Sequence, residues 1–176
     1  MKANQTSAIP VVELMQLKQA TCKKLSVGAD GDITYQIAST PDKKHLYLSL
    51  QDSGSKGYFS HEWVDAEKVA AILDEAAATL AGVTSKVFRP AFSGQSSNNA
   101  PFLAAVLLSE GLLKKDGVHG MRLHATGDID NWLKKQLSQK GKPFRVRMDG
   151  KPIEAAAASE NQSTGKDAAH ANRQTA

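Results

Sequence analysis

One cysteine, Cys22, stands alone in 176 residues. A single thiol cannot build an internal disulfide framework, and without a second one the cysteine-rich zinc sites are excluded too. Long apolar runs are missing as well. The most apolar stretch, Phe102 to Leu108, is far shorter than the roughly 20 residues that a bilayer span needs. Residues 1–9 are polar and lack the apolar centre of a secretory leader. With the lone thiol, this gives the expectation of a cytoplasmic protein without a membrane partner.

The common signatures of catalysis and cofactor binding are also absent. A phosphate-cradling loop needs Gly-x-x-x-x-Gly-Lys-Ser/Thr, and only a fragment of it, Ser163-Thr164-Gly165-Lys166, occurs near the end of the chain. No Gly-x-Gly-x-x-Gly follows a strand pattern, and Ser93-Gly94-Gln95-Ser96 lacks the closing glycine of a hydrolase elbow. His61-Glu62 begins like a zinc-protease helix, but aspartate stands at position 65 where histidine is required. His119 and His124 have no third ligand nearby in sequence. The pairs Asp30/Asp32 and Asp128/Asp130 suit a turn and a helix start more simply than Mg²⁺. These readings lean away from an enzyme and give no cofactor and no metal. They do not exclude catalysis, since many active sites carry no local signature.

What is present is the composition of one globular domain, with 41% apolar and 23% charged residues. The net charge of +4 is unevenly spread. Residues 111–151 carry ten Lys/Arg against Asp116, Asp128, Asp130 and Asp149, an excess of +6, whereas the flanking parts are each −1. A clustered excess of this kind is an electrostatic footprint for a polyanion, or simply a lysine-rich solvated surface.

Periodicity predicts an α+β fold: an antiparallel β-meander with packed helices, a buried central helix and a C-terminal strand–helix–hairpin unit. The domain is expected over residues 10–154, with a meander half (10–82) and a helical, basic half (100–154). Residues 1–9 and the Ala/Ser/Asn/Gln-rich tail 155–176 are expected to be disordered. Val11, Leu14, Met15, Cys22 and Leu25 recur at helical spacing, which predicts a first helix from Val11 to about Leu25. Alternation then predicts strands over Asp32–Ser39, around Leu46, Leu48 and Leu50, and over Tyr58–Val64. Asp65 caps a helix that ends at Gly82, and the polar, irregular stretch 83–100 follows. The central helix, 100–115, has Asn98 or Asn99 as cap, Pro101 in its first turn and Gly117 as its stop. A short strand at 121–125, a helix after Asp128 and a hairpin turning at Asp149-Gly150 complete the chain. The expected core includes Leu14, Ile37, Leu48, Val69, Leu73, Phe102, Val106, Leu112, Trp132, Leu133 and Val146.

Two features point to binding. The basic block offers Lys134, Lys135, Lys140, Lys142, Arg145, Arg147 and Lys151 as contacts to DNA or RNA phosphates. The order helix, strand, helix, basic hairpin distantly echoes a winged helix, but about 13 residues join its helices where three or four are usual, and it assigns no family. Secondly, Ser96, Ser97, Asn98 and Asn99 run into a helix N-terminus, where free N–H groups favour an anion, with Lys86 and Arg89 close in sequence. The resulting expectation is a non-enzymatic accessory or regulatory protein associated with nucleic acid through residues 111–151. The alternative is a protein-interaction module that docks by a sheet edge or the aromatic 58–63 segment, with Tyr58 as the exposed anchor. A third reading is an enzyme acting on an anionic substrate through the 93–99 loop.

Overall fold

A computed structural model describes residues 9–55, 57–117 and 120–153. The expectations for the extreme N-terminus and the tail, and for His119, lie outside these residues. Along the chain come β1 (Val11–Lys23), β2 (Asp32–Ser39), β3 (Leu46–Asp52), β4 (Val64–Asp65), α1 (Ala66–Ala77), a 3₁₀ turn (Ser85–Ala91), α2 (Asn99–Ser109), β5 (Leu113–Lys115), β6 (Leu123–Ala125), α3 (Ile129–Leu137) and β7 (Lys142–Arg147). Five strands form one antiparallel sheet in the order β4-β3-β2-β1-β7, and β5 pairs with β6 beside it. The α+β class is as expected.

The first element corrects the sequence reading: residues 11–23 are a strand, not a helix. The register against β2 slips between Gln16 and Lys18, so Leu17 is an extra residue, a β-bulge. Before it, Leu14 packs in one core with Trp63; after it, Cys22 packs with the helices in another. A strand that changes its buried face loses period 2, and its apolar positions then imitate helical spacing.

The third expected strand shrinks to Val64–Asp65. Upstream of it the chain runs beside β3, tied by the Ser49 hydroxyl donating to the His61 carbonyl (2.7 Å), while Phe59 packs edge-on to Phe102. α1 begins as predicted, with the Asp65 carboxylate accepting the Glu67 N–H at 2.8 Å. α2 is the expected buried helix, and every residue from Phe102 to Leu107 is buried. It stops at Gly111, not Gly117. Gly111 has a φ of +77°, and the Leu112 N–H bonds the Leu107 carbonyl at 2.9 Å, a left-handed helix stop. Lys114 and Lys115 therefore belong to β5. Asn98 stands at the N-cap position of α2 and its carbonyl accepts the Phe102 N–H at 3.0 Å, but its side chain makes no cap bond. Of the expected core residues, Leu133 and Val146 are half-buried and the others are buried.

Glu110, one residue past α2, pins four elements. Its side chain is 4% exposed. Lys18 of β1 donates to Oε1 at 2.6 Å, the Tyr35 hydroxyl of β2 donates to the same oxygen, and Trp132 Nε1 of α3 donates to Oε2 at 2.9 Å. Burial raises the Glu110 carboxyl, but these donors outweigh it and hold the group below the usual carboxylate range. Burial and the Glu110 bond push the Tyr35 hydroxyl well above its ordinary value.

Among the described residues the expected C-terminal hairpin is absent, because β7 pairs with β1 (Val12 opposite Val146, Leu14 opposite Phe144) and no strand follows it there. A strand at 11–23 leaves an edge for it, which a helix there would not. In a flat five-strand sheet β4 and β7 would lie about 19 Å apart. Yet Trp63, next to β4, donates its N–H to the carbonyl of Met148, just past β7, at 2.9 Å. The sheet is curled until its two ends meet, and the concave side encloses Leu14, Ala38 and Trp63 with Val12, Tyr47, Phe144, Val146 and Met148. The convex side carries the helices over Ile33, Tyr35, Ile37, Leu46, Leu48 and Leu50.

The Asp149-Gly150 turn seals the curl. Gly150 has a φ of +71°, and a Cβ there would lie 2.0 Å from the His61 carbonyl oxygen. Gly150→Ala should cost about 2–4 kcal/mol in denaturant unfolding, combining left-handed strain with a backbone collision. Gly127→Ala is the control: its φ is +79° and nothing lies within 4 Å, so strain alone should cost about 1 kcal/mol. Equal losses in the two variants would mean that the closure is not tight.

Candidate functional site

The loop expected to receive an anion is occupied by the chain itself. Ser96 Oγ and Asn98 Nδ2 both donate to the Tyr58 carbonyl, at 2.6 and 2.9 Å. Asn99, 2% exposed, accepts the Ser60 N–H on Oδ1 at 2.8 Å and donates from Nδ2 to the Gly94 carbonyl at 3.2 Å. Ser97 is exposed. Arg89 joins Ser96 and Asn99 around a small cavity of about 100 Å³, whereas Lys86 is exposed and does not line it. The loop's amides have found a carboxylate in Glu62, which accepts from Ser93 N and Gly94 N, each at 2.9 Å, and from the Ser60 hydroxyl at 2.8 Å. Partial burial raises the Glu62 carboxyl, but those donors prevail and hold it below the usual range. Neither Glu62 nor Glu110 carries a sequence signal for this role, because, Ser60 apart, their donors come from distant parts of the chain.

The basic residues are divided among several places. Lys134 and Lys135 lie on the solvent side of α3, whose buried side (Ile129, Trp132, Gln136) faces inward. Lys140 follows that helix, and Lys142 opens β7 opposite Gln16 of β1. Lys115 is elsewhere, donating to the Leu25 carbonyl at 3.0 Å beyond the other end of β1. The span from Gln16 to Leu25 is about 25–30 Å of strand, so the block 111–151 does not form one face.

Three of the predicted cations do meet. Arg145, Arg147 and Lys151 border a cleft of about 760 Å³ at the concave side of the sheet. Its wall adds Gln36 of β2, Gln51 of β3 and His61, its floor is Trp63, Phe144 and Val146, and Gly150, Pro152 and Ile153 close it. No Asp or Glu lines it. Nearby, Asp149 takes a bidentate pair from Arg147, Nε to Oδ1 at 3.1 Å and a terminal nitrogen to Oδ2 at 2.8 Å. The Arg147 guanidinium, foremost, holds the Asp149 carboxyl below its ordinary value. Alternation marked Gln36 and Gln51 as outward positions of β2 and β3. It could not show that the sheet curls and turns that outward face into a wall.

The remaining chemical candidates stay apart. Among the described residues no three His, Cys, Asp or Glu side chains come together as a metal site. Asp32 pairs with Lys23 at 2.7 Å, and His45 lies 3.7 Å from Glu67 on the surface. Cys22 is buried, and its thiol is pushed up to about 11 by burial, with Asp32 and Glu110 adding to the effect. Comparison with family models, with curated proteins and with solved structures finds no match to this chain.

The two clamped carboxylates give a pH dependence of stability. Both have folded values below the ordinary one, so their contribution is complete above about pH 4.3 and is lost as pH falls through that value toward the folded ones. The urea midpoint of the wild type should fall between about pH 6 and about pH 3, and Glu62→Gln should lower it at pH 6 while flattening the slope. An identical slope in the variant would show that Glu62 is not clamped in solution.

Proposed function

We propose that the protein is a non-enzymatic, nucleic-acid-associated accessory protein of the cytoplasm, which holds DNA or RNA through the cleft between β7 and the 57–63 segment. The observation that carries this reading is a cleft of about 760 Å³ bordered by Arg145, Arg147 and Lys151 and lined by no carboxylate. The cations at its border are suited to phosphate oxygens, and the apolar floor with amide walls is suited to what a phosphate chain carries. Asp149 offsets one of the charges and orients the Arg147 guanidinium. Among the described residues no helix is long and apolar enough to cross a membrane.

Two or three phosphate contacts set the salt dependence. Binding of a labelled oligonucleotide, followed by anisotropy, should weaken roughly 10–20-fold between about 50 and 200 mM salt, the slope expected of that many released counterions. Arg145→Ala with Lys151→Ala should reduce the slope by about 1 to 2 and weaken binding at low salt. No binding at low salt, or a slope that the double variant leaves unchanged, would refute the reading.

One observation favours a second reading, docking of a protein partner. Tyr58 is 80% exposed while its carbonyl is held by both Ser96 and Asn98. An aromatic displayed from a braced backbone suits an interface anchor. Phe59 and Trp63 are buried and unavailable for it. Sedimentation that depends on concentration in the wild type and not in Tyr58→Ala would support self-docking at this point. A concentration-independent monomer that captures no partner would remove it.

A further inference from the structure

We infer that the cleft admits a base of a single nucleic-acid strand and favours bases that carry an exocyclic amino group. This rests on the nucleic-acid reading above and adds the strand state and the base class.

The strand state follows from shape. The cationic residues border a recess, and its volume of about 760 Å³ is that of a pocket for a small organic group. A duplex keeps its pairing edges inside and is read by elements that project into its grooves. The bases of a single strand can be splayed out and inserted. The floor of Trp63, Phe144 and Val146 gives such a base an apolar surface to lie on.

The base class follows from the hydrogen-bond polarity of the wall, which the surrounding network fixes. A carbonyl oxygen can only accept, so the Ser49 hydroxyl must donate its one hydrogen to His61 O, 2.7 Å away. The 2.8 Å contact between Ser49 and Gln51 therefore has the Gln51 amide nitrogen as donor. Oε1 of Gln51 is left as an open acceptor, beside the second hydrogen of Nε2. His61 Nδ1 lies 3.0 Å from the Leu50 carbonyl oxygen, so it carries the hydrogen, and in that tautomer Nε2 is an acceptor. Gln36 donates from Nε2 to Gln19 at 2.9 Å and likewise leaves Oε1 open. All three residues line the cleft, which thus sets three acceptors beside the donors of Arg145, Arg147 and Lys151, and the phosphates take those donors. Cytosine and adenine answer the acceptors with amino groups, whereas thymine and uracil present a carbonyl oxygen at the equivalent place. Placing that oxygen against Gln51 Oε1, Gln36 Oε1 or His61 Nε2 sets acceptor against acceptor and leaves both unpaired.

Equal-length labelled oligo(dC) and oligo(dU) are alike in size and reverse the hydrogen-bond polarity at two adjacent positions, amino against carbonyl at C4 and acceptor against N–H at N3. Anisotropy titrations at one low salt concentration should show oligo(dC) binding about 5–10-fold tighter than oligo(dU). A duplex of the same length should bind more weakly than oligo(dC). Gln51→Leu, shown folded by its thermal melt, should bring oligo(dC) close to oligo(dU) while keeping the salt slope. Gln36→Leu serves the same purpose if Gln51→Leu unfolds. Equal affinities in the wild type, or a preference that survives both variants, would overturn the base class and leave the phosphate reading intact. Tighter binding of the duplex would overturn the strand state. No binding to any of them would overturn both this inference and the reading on which it rests.

Discussion

One extra residue in β1 is the constraint on which this architecture depends. Leu17 lets a single strand bury Leu14 on the concave side and Cys22 on the convex side. Without the bulge the two positions, eight residues apart, would share a face. Bulges also sharpen the local twist and bend, and β1 lies between β2 and β7 where the sheet has to curl. The second core, the meeting of Trp63 with Met148 and the wall of the cleft all follow from that bend. Gln36 and Gln51, which would face open water on a flat sheet, become parts of a recess.

Two carboxylates hold the surrounding pieces in register, and they do so by the same physics. Glu110 collects donors from β1, β2 and α3, and Glu62 collects backbone amides from a loop about thirty residues away. Glu110 is a buried charge and Glu62 a partly buried one, and each is stable because several donors converge on it. Removing such a group strands its donors, so these positions matter more to the fold than their ordinary identity suggests. The Glu62 clamp also explains why the polar loop 93–99 is structurally occupied: its amides hold an anion that is covalently part of the chain.

Much of the local architecture was legible in the sequence. Regular alternation in β2 and β3, the Asp65 cap of α1 and the uninterrupted apolar run of α2 each state their element locally, and the structure agrees. The failures share a cause. β1 was misread because a bulge scrambles period 2, the 58–63 segment because side-chain ties to β3 replace a ladder, and the final hairpin because β7 takes its partner from the far end of the chain. Of the candidate site, the cations Arg145, Arg147 and Lys151 were visible as charge. Their neighbours Gln36, Gln51 and His61 were not, since only tertiary closure brings them together. The other basic residues were marked by composition alone, and the fold disperses them.

The pairing of β1 with β7 has a consequence for how the chain reaches this state. Val11 lies opposite Arg147, so the strand that organises both cores cannot complete its own edge until nearly all of the described chain has been made. At ordinary synthesis rates of about 5–20 residues per second, that is a wait of roughly 6–25 s. Closing so long a loop carries an entropic cost that the helices and the β1–β2–β3 meander must first be stable enough to bear. The cleft, which needs the closed curl, is then the last feature to form. A ribosome-bound intermediate would have the convex core largely in place, an open β1 edge, and no cleft.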